Sequence, residues 1–243
     1  MIKKLMVDCE TLDLGERPVL LSIGAVVFDD EQIHQYFHVA IDAETAKAHG
    51  FTVSQDTLDW WDTQSASARS AAFNGTYHIE CALMALVNFY KQYECQEIWS
   101  KGALADIRWI NNALNYFDMR QPWKFWQEMC FRTFLEVSPR VSVAFEGVPH
   151  NALDDAAHQA RQFIAVKHKQ AEAAQLKHQF EMLANKTAEL EFQLLQHSLS
   201  TPNAVLATDE FLTKEIREKV KNFLEREKIQ TGLLYSTLKK ELV

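Results

Sequence analysis

The sequence predicts an α/β fold, a mixed β-sheet flanked by helices, with a C-terminal helical extension. Strand-like segments crowd the first forty residues, and helical periodicity takes over afterwards with one short strand between helices. That order of elements is the pattern of an α/β domain. The 243 residues, 47% hydrophobic and 24% charged, have an ordinary globular balance and suffice for one sizeable domain with an appendage.

Each element follows from its residues. Residues 3–9 place Leu5, Met6 and Val7 in a buried run, which reads as a first strand. Residues 19–28 are rich in β-branched and aromatic side chains and stop at Asp29 and Asp30, a turn signal. Residues 33–41 make a third strand. Short turns between the three imply an antiparallel meander. Over 78–93, Ile79, Leu83, Leu86, Val87 and Tyr90 share a helical face. A short strand, 97–101, ends at Gly102. The helix after it turns Leu104, Ile107, Ile110, Asn111 and Leu114 to one side. A last helix, 150–167, has Ala152, Ala156, Ala160, Phe163 and Ile164 inward, so this domain is expected to span 1–168.

Beyond it, Ala173, Leu176, Phe180, Leu183, Thr187, Leu190 and Leu194 recur at alternating steps of three and four. This is a heptad seam, so residues 169–200 read as one long helix forming a coiled coil. With Phe180 at position a, Glu172 and Lys177 fall at g and e, as do Lys186 and Glu191, giving opposite-charge pairs across a parallel dimer. Self-association through 173–197 is the favoured reading; the alternative is an amphipathic helix lying on its own domain. Residues 198–202 read as a hinge. In the C-terminal segment, 201–243, two short charged helices are expected at 209–228 and 231–243.

Composition narrows the function classes. With 7 Gly and 5 Pro there is no low-complexity tract. No apolar run reaches the ~18 residues of a membrane span, and the N-terminus lacks the pattern of a secretory signal. The four cysteines form no C-x-x-C pair, which gives neither a zinc spacing nor a disulfide framework. A cytoplasmic protein is expected. The net charge of −8 does not advertise a long duplex-binding face. It is compatible with an enzyme that grips a few nucleotides through metal ions.

Three elements carry the chemistry. In Asp8-Cys9-Glu10 the two carboxylates lie at i and i+2 of a strand and share a face. After three apolar residues such a pair is costly unless a cation compensates it, and Mg²⁺ or Mn²⁺ takes oxygen ligands. The plain alternative is a strand running out into solvent. Asp106 sits at a strand-to-helix junction, where open α/β sheets bind ligands, although acids also favour helix first turns for dipole reasons. In His150-Asn-Ala-Leu-Asp-Asp-Ala156, a histidine at a helix start and an acid five residues on bracket one site. Asp155 shares the inward stripe with Ala152, Gln159 and Phe163. Asp154 aligns with Ala157, His158 and Arg161 and is expected to be solvated.

Taken together, Asp8, Glu10, Asp106, His150 and Asp155 resemble the DEDDh exonucleases of the RNase T and proofreading-exonuclease superfamily. The resemblance covers residues 3–165. It looks closest to the bacterial and phage exonuclease VIII-like, 3′→5′ exoribonuclease-like branch. Its carriers are MVDCETL, PVLLSIGAVVFD, TLDWW, IWSKGALADI, PW followed by FRTF, and HNALDDA. It implies an RNase H-like fold and 3′→5′ removal of 5′-mononucleotides from single-stranded RNA or DNA. It also implies two divalent metal ions held by Asp8, Glu10, Asp106 and Asp155, with His150 as general base. Imidazole suits that role because its unperturbed pKa is ~6.5.

In relatives the positions of Thr11 and Leu12 contact the terminal nucleotide. Trp60 and Trp61 are candidates to stack a base, with core packing the preferred reading for at least one. Arg132 is a candidate for contacting phosphate or bracing a carboxylate, against a plain surface ion pair. Phe73, Trp99, Trp109 and Trp126 are expected in the core, and the other histidines on scaffold or surface. Two further functions compete: hydrolysis of nucleotides or short oligonucleotides, which the acidic charge favours, and a non-catalytic nucleic-acid-binding assembly module, which has no need of all four carboxylates and the base.

Overall fold

In the computed structural model, which describes residues 2–200 and Glu218, a five-stranded sheet is built in the order β3-β2-β1-β4-β5. Strands β1 (Lys4–Thr11), β2 (Leu20–Phe28) and β3 (Ile33–Ala40) form the predicted antiparallel meander. Strand β4 (Glu97–Ser100) runs parallel to β1, and β5 (Glu128–Cys130) parallel to β4. Helices α1 (Ala43–Lys47), α2 (Gln55–Asp62), α3 (Ala66–Phe73) and α4 (Ile79–Gln92) lie between β3 and β4 in the chain. Helix α5 (Asp106–Tyr116) follows β4, α6 (Phe131–Glu136) follows β5, and α7 (Ala152–Ser200) is the last described element. This mixed sheet flanked by helices is the α/β architecture the sequence predicts.

The pleat of β1 divides the core. Its odd positions, Leu5, Val7 and Cys9, pack with Leu83, Leu86, Ile107 and Ile110 of α4 and α5. Its even position Met6 packs instead with Phe131, Ala156, Ala160 and Phe163 of α6 and α7. Period-two alternation therefore carries Asp8 and Glu10 onto the α7 side. Gly24, opposite Asp8 in the ladder, makes the approach of α7 possible. A Cβ there would lie 2.1 Å from the backbone carbon of Ala152. Any larger residue would push the first turn of α7 off the sheet.

Several expectations are corrected. Leu104 precedes α5 and is 82% exposed, because the helix begins only at Asp106. Phe73 and Trp126 are exposed rather than core, whereas Trp99 and Trp109 are buried. Phe73 ends α3 and Trp126 lies in the 3₁₀ turn Phe125–Gln127, where no second layer covers them. Helices α1–α3 and the β5–α6 unit were not anticipated. A three-residue strand shows no alternation, and helices of five to eight residues show barely two turns of periodicity.

The chain divides into two compact units, residues 1–172 and 173–243. Within the second, residues 173–200 are helical, and Lys186 pairs with Glu189 of its own helix at 2.7 Å. Leu183 of the seam is buried and Phe180 exposed. The helix continues through Ser200, past the start of the expected hinge. The rest of that hinge, and the helices expected at 209–228 and 231–243, fall outside the described residues. Among the described residues no helix is long and apolar enough to cross a membrane.

Candidate active site

The carboxyl ends of β1 and β4 run in parallel, and the crevice beyond such ends is where α/β sheets gather ligands. Asp8 and Glu10 reach it from the even face of β1. Asp106, the first residue of α5, reaches it from the β4 side, and its Oδ1 accepts a hydrogen bond from the Cys9 backbone N–H at 3.1 Å. That bond ties the head of α5 to the strand between the two acids.

The third side is the start of α7. Asn151 caps it, its Oδ1 accepting from the N–H groups of Leu153 (3.0 Å) and Asp154 (3.2 Å). His150 precedes the cap with φ +63°, a left-handed backbone that is uncommon for a residue with a Cβ. Its N–H donates to Asp155 Oδ2 at 2.8 Å. One ligand atom from each of Glu10, His150 and Asp155 lies within 4.8 Å of the others. Gln159, one turn beyond Asp155, donates from Nε2 to Asp8 Oδ1 at 2.8 Å. So the structure brings together all five residues of the expected set.

The electrostatics are those of an overfull acidic cluster. Burial raises Asp8 well above the carboxylate range, and the charges of Asp106, Glu10 and Asp155 add to this. Burial, with Asp155 and Asp106, pushes Glu10 up to about 8. Asp106 rises to about 6 through burial, against the Cys9 N–H bond and the Arg132 charge that lower it. Burial also raises Asp155, against the nearby His150 and Lys101. The other end of the same strand face shows the contrast. The buried Lys4 ammonium sits 2.7 Å from the Asp30 carboxylate. Among the described residues no ion pair within 4.0 Å involves Asp8, Glu10, Asp106 or Asp155. Carboxylates that raise one another in this way fit hard divalent cations, which favour oxygen ligands.

The sequence match decides the family. Residues 3–167 match the Rv2179c-like domain, described as a 3′-5′ exoribonuclease domain. The chain belongs to this family. It is accordingly a hydrolytic 3′→5′ exonuclease, and the family's nuclease activity implies a nucleic-acid substrate. A solved structure, the nuclease domain of 3′hExo, a DEDDh family member, bound to rAMP, is similar at 16% identity with a TM-score of 0.47. The similarity covers 70% of this chain and 92% of that one. No curated protein matches the chain significantly.

The remaining candidates separate. Trp61 is buried, and its indole N–H donates to the Thr11 carbonyl at 2.9 Å, so its ring belongs to the core. Trp60 is 42% exposed and lies edge-on to His150, ring centroids 4.9 Å apart. Thr11 is buried with its hydroxyl donating to the Asp13 carbonyl, and Leu12 is buried in the core. Arg132 donates from Nη2 to the Lys101 carbonyl at 3.2 Å and acts electrostatically on Asp106.

Asp154 departs from expectation. Rather than standing in solvent, its Oδ2 accepts from the Val148 N–H at 2.8 Å. Helical spacing placed it correctly on α7 but could not show that the preceding loop folds back over that face. Gln159 was on the inward stripe in the sequence, and its place one turn from Asp155 was the available signal. Lys101 left no such signal, because a lone lysine before a glycine has no pattern.

Proposed function

We propose that the protein is a two-metal-ion 3′→5′ exonuclease that releases 5′-mononucleotides from the 3′ ends of single-stranded RNA, with DNA ends as the competing substrate. The observation that carries this reading is the convergence of four carboxylates and an imidazole on one crevice, with no side-chain cation among the described residues paired to the carboxylates. The family's exoribonuclease description supports RNA over DNA, and the exonuclease VIII-like branch is the reading we favour within it.

Asp8, Glu10, Asp106 and Asp155 would hold the two ions, Mg²⁺ or Mn²⁺. Bound there, the ions would supply Lewis-acid chemistry, lowering the pKa of a water and neutralising charge on the leaving 3′ oxygen. His150 takes the proton from that water as general base. Its N–H bond to Asp155 orients it toward the ligand cluster. Gln159 holds Asp8 by one oxygen. Thr11 and Leu12 border the terminal nucleotide through the end of β1. Trp60 is the exposed ring on which a base can stack, and Trp61 supports the strand from behind. Arg132 serves at the rim as a phosphate contact and a brace for Asp106.

In this reading residues 1–168 form the nuclease domain, 169–200 a coiled coil and 201–243 a separate C-terminal segment. Pairing through 173–197 makes the protein a homodimer.

The test is a Mg²⁺-dependent assay on end-labelled RNA and DNA oligomers of matched sequence, with free and blocked 3′ ends. Stepwise shortening of RNA from a free 3′ end is the expected result. Turnover confined to di- or trinucleotides would point instead to a short-oligonucleotide hydrolase. Binding without cleavage in either metal would leave only a binding module.

A further inference from the structure

The loop that delivers His150 is stitched to α7 along its length. Phe145 packs its ring on His158 at 4.9 Å, and Glu146 meets Arg161 at 3.6 Å. The Val148 N–H enters the Asp154 carboxylate at 2.8 Å, and the His150 N–H enters Asp155. Gly147 has φ +105°, and a Cβ built there would sit 2.4 Å from Asp154 Oδ2. So the glycine is required twice, by the left-handed backbone and by the carboxylate lying against it. Two left-handed residues, Gly147 and His150, bracket the one N–H that Asp154 captures. His38, opposite Gly24 in the β2–β3 ladder, also feels the Asp154 charge.

We propose that Asp154 is a positioning residue for the general base: its carboxylate pins the loop at Val148, so that His150 is held in its left-handed conformation facing Asp155. This rests on the reading of His150 given above. The ring contact with Trp60 fixes the imidazole from one side only. Without the Asp154 anchor, the turn at His150 keeps only its N–H bond to Asp155 and the Asn151 N–H bond to the Val148 carbonyl, so its backbone relaxes more readily toward an ordinary φ, which swings the ring away from the ligand cluster. Asp155 would then keep its place on α7, so metal binding and base positioning are separable. One carboxylate faces the cluster and its neighbour holds the loop.

The decisive variants are Asp154→Ala, which removes the acceptor, and Asp154→Asn, which retains an oxygen of the same reach. Asp154→Ala should lower kcat on single-stranded RNA by about 10- to 100-fold, the cost of a misplacement on the order of 1 Å. KM and the midpoint of a Mn²⁺ titration should move less than about twofold. Asp154→Asn should recover most of the loss. Gly147→Ala should lower kcat in the native background and cost less beside Asp154→Ala, where the atoms it strikes are gone. An NMR spectrum of the His150 ring reports its surroundings without turnover, and it should shift in Asp154→Ala but not in Asp154→Asn. Native kcat and an unmoved His150 signal in Asp154→Ala would overturn the proposal. So would a kcat loss that Asn fails to restore. If the native protein cleaves no RNA, or His150→Ala keeps full activity, the reading of His150 as base fails. The NMR comparison still decides whether Asp154 positions the ring.

Discussion

Asp8, Glu10 and Asp106 stand on the sheet and at the head of the helix packed beneath it. His150 and Asp155 stand on a loop and the first turns of a helix laid across the other face. The first group is anchored by a buried ladder, from Lys4 opposite Phe28 to Glu10 opposite Ser22, and by the Cys9–Asp106 bond. The second depends on a few hydrogen bonds from N–H groups of the loop and the first turn of α7 to half-buried side chains. The strand-borne half thus carries the electrostatic strain and the helix-borne half the conformational strain. Packing supplies rigidity for the first, since a strand covered on both faces cannot shift to relieve its charges. The left-handed His150 donates its N–H to Asp155, and Asp154 takes the Val148 N–H two residues before it.

Breaking the strand-borne half should have the largest effect. Asp8→Asn should cost at least about 10³-fold in turnover, as for other sites whose members act as a unit. In the absence of metal and at alkaline pH the same variant should melt above the native protein, because it removes a buried carboxyl whose ionisation is opposed by burial and by Asp106, Glu10 and Asp155. Thermal melts with a chelator check this, and a lowered melting temperature would show that Asp8 is there for the fold.

The raised carboxylates also set the direction of a pH effect. Asp106 and Glu10 hold protons in the folded state up to about 6 and about 8, against ordinary values of 3.8 and 4.5. Folded pKa values above the unfolded ones give stability that is fully present below the unfolded values and is lost as pH rises through the folded ones. The metal-free protein should therefore lose stability from the ordinary carboxylate range up through about 8. Saturating Mg²⁺ should restore it most strongly at the alkaline end. Calorimetric scans in chelator and in Mg²⁺ test this. A metal-free stability that climbs with pH over that window would refute the crowded-carboxylate account.

The paired tryptophans sharpen the contrast on a smaller scale. Trp60→Ala should weaken single-strand binding by ~1–3 kcal/mol, the worth of a stacked base, and leave the melting temperature near native. Trp61→Ala should do the reverse, because it empties a core position and orphans the Thr11 carbonyl. Binding titrations beside melts separate the two, and equal losses on both readouts would merge their roles. The smallest consequence for catalysis concerns the helical extension. Light scattering should find a dimer at micromolar concentration, and substituting Leu183 and Leu190 by Asp should yield a monomer with its turnover intact. A native monomer would remove the coiled-coil reading.

The strands β1–β3 and the helices α4 and α5 were legible in the sequence because each rests on local periodicity, whereas the acids were assembled into one set only by the family resemblance, Asp106 being marked by nothing more than its strand-to-helix junction. Alternation put Asp8 and Glu10 on one face, and the 3.6-residue turn aligned Asp155 with Gln159 and Phe163. Where periodicity had too few residues to act, in α1–α3 and in β5, nothing announced the element. Leu104 shows the same limit from the other side: a pattern extended two residues beyond the true helix start put an exposed residue in the core. Tertiary structure alone decided the rest. It closed the sheet so that β4 lies beside β1, let α7 touch Gly24, and buried Trp61 while leaving Trp60 beside His150. It also turned Asp154 from a surface acid into the anchor of a loop. The physical reason is range. Side-chain direction along one element is set by its own backbone, whereas partners from separate elements are set by how the layers pack.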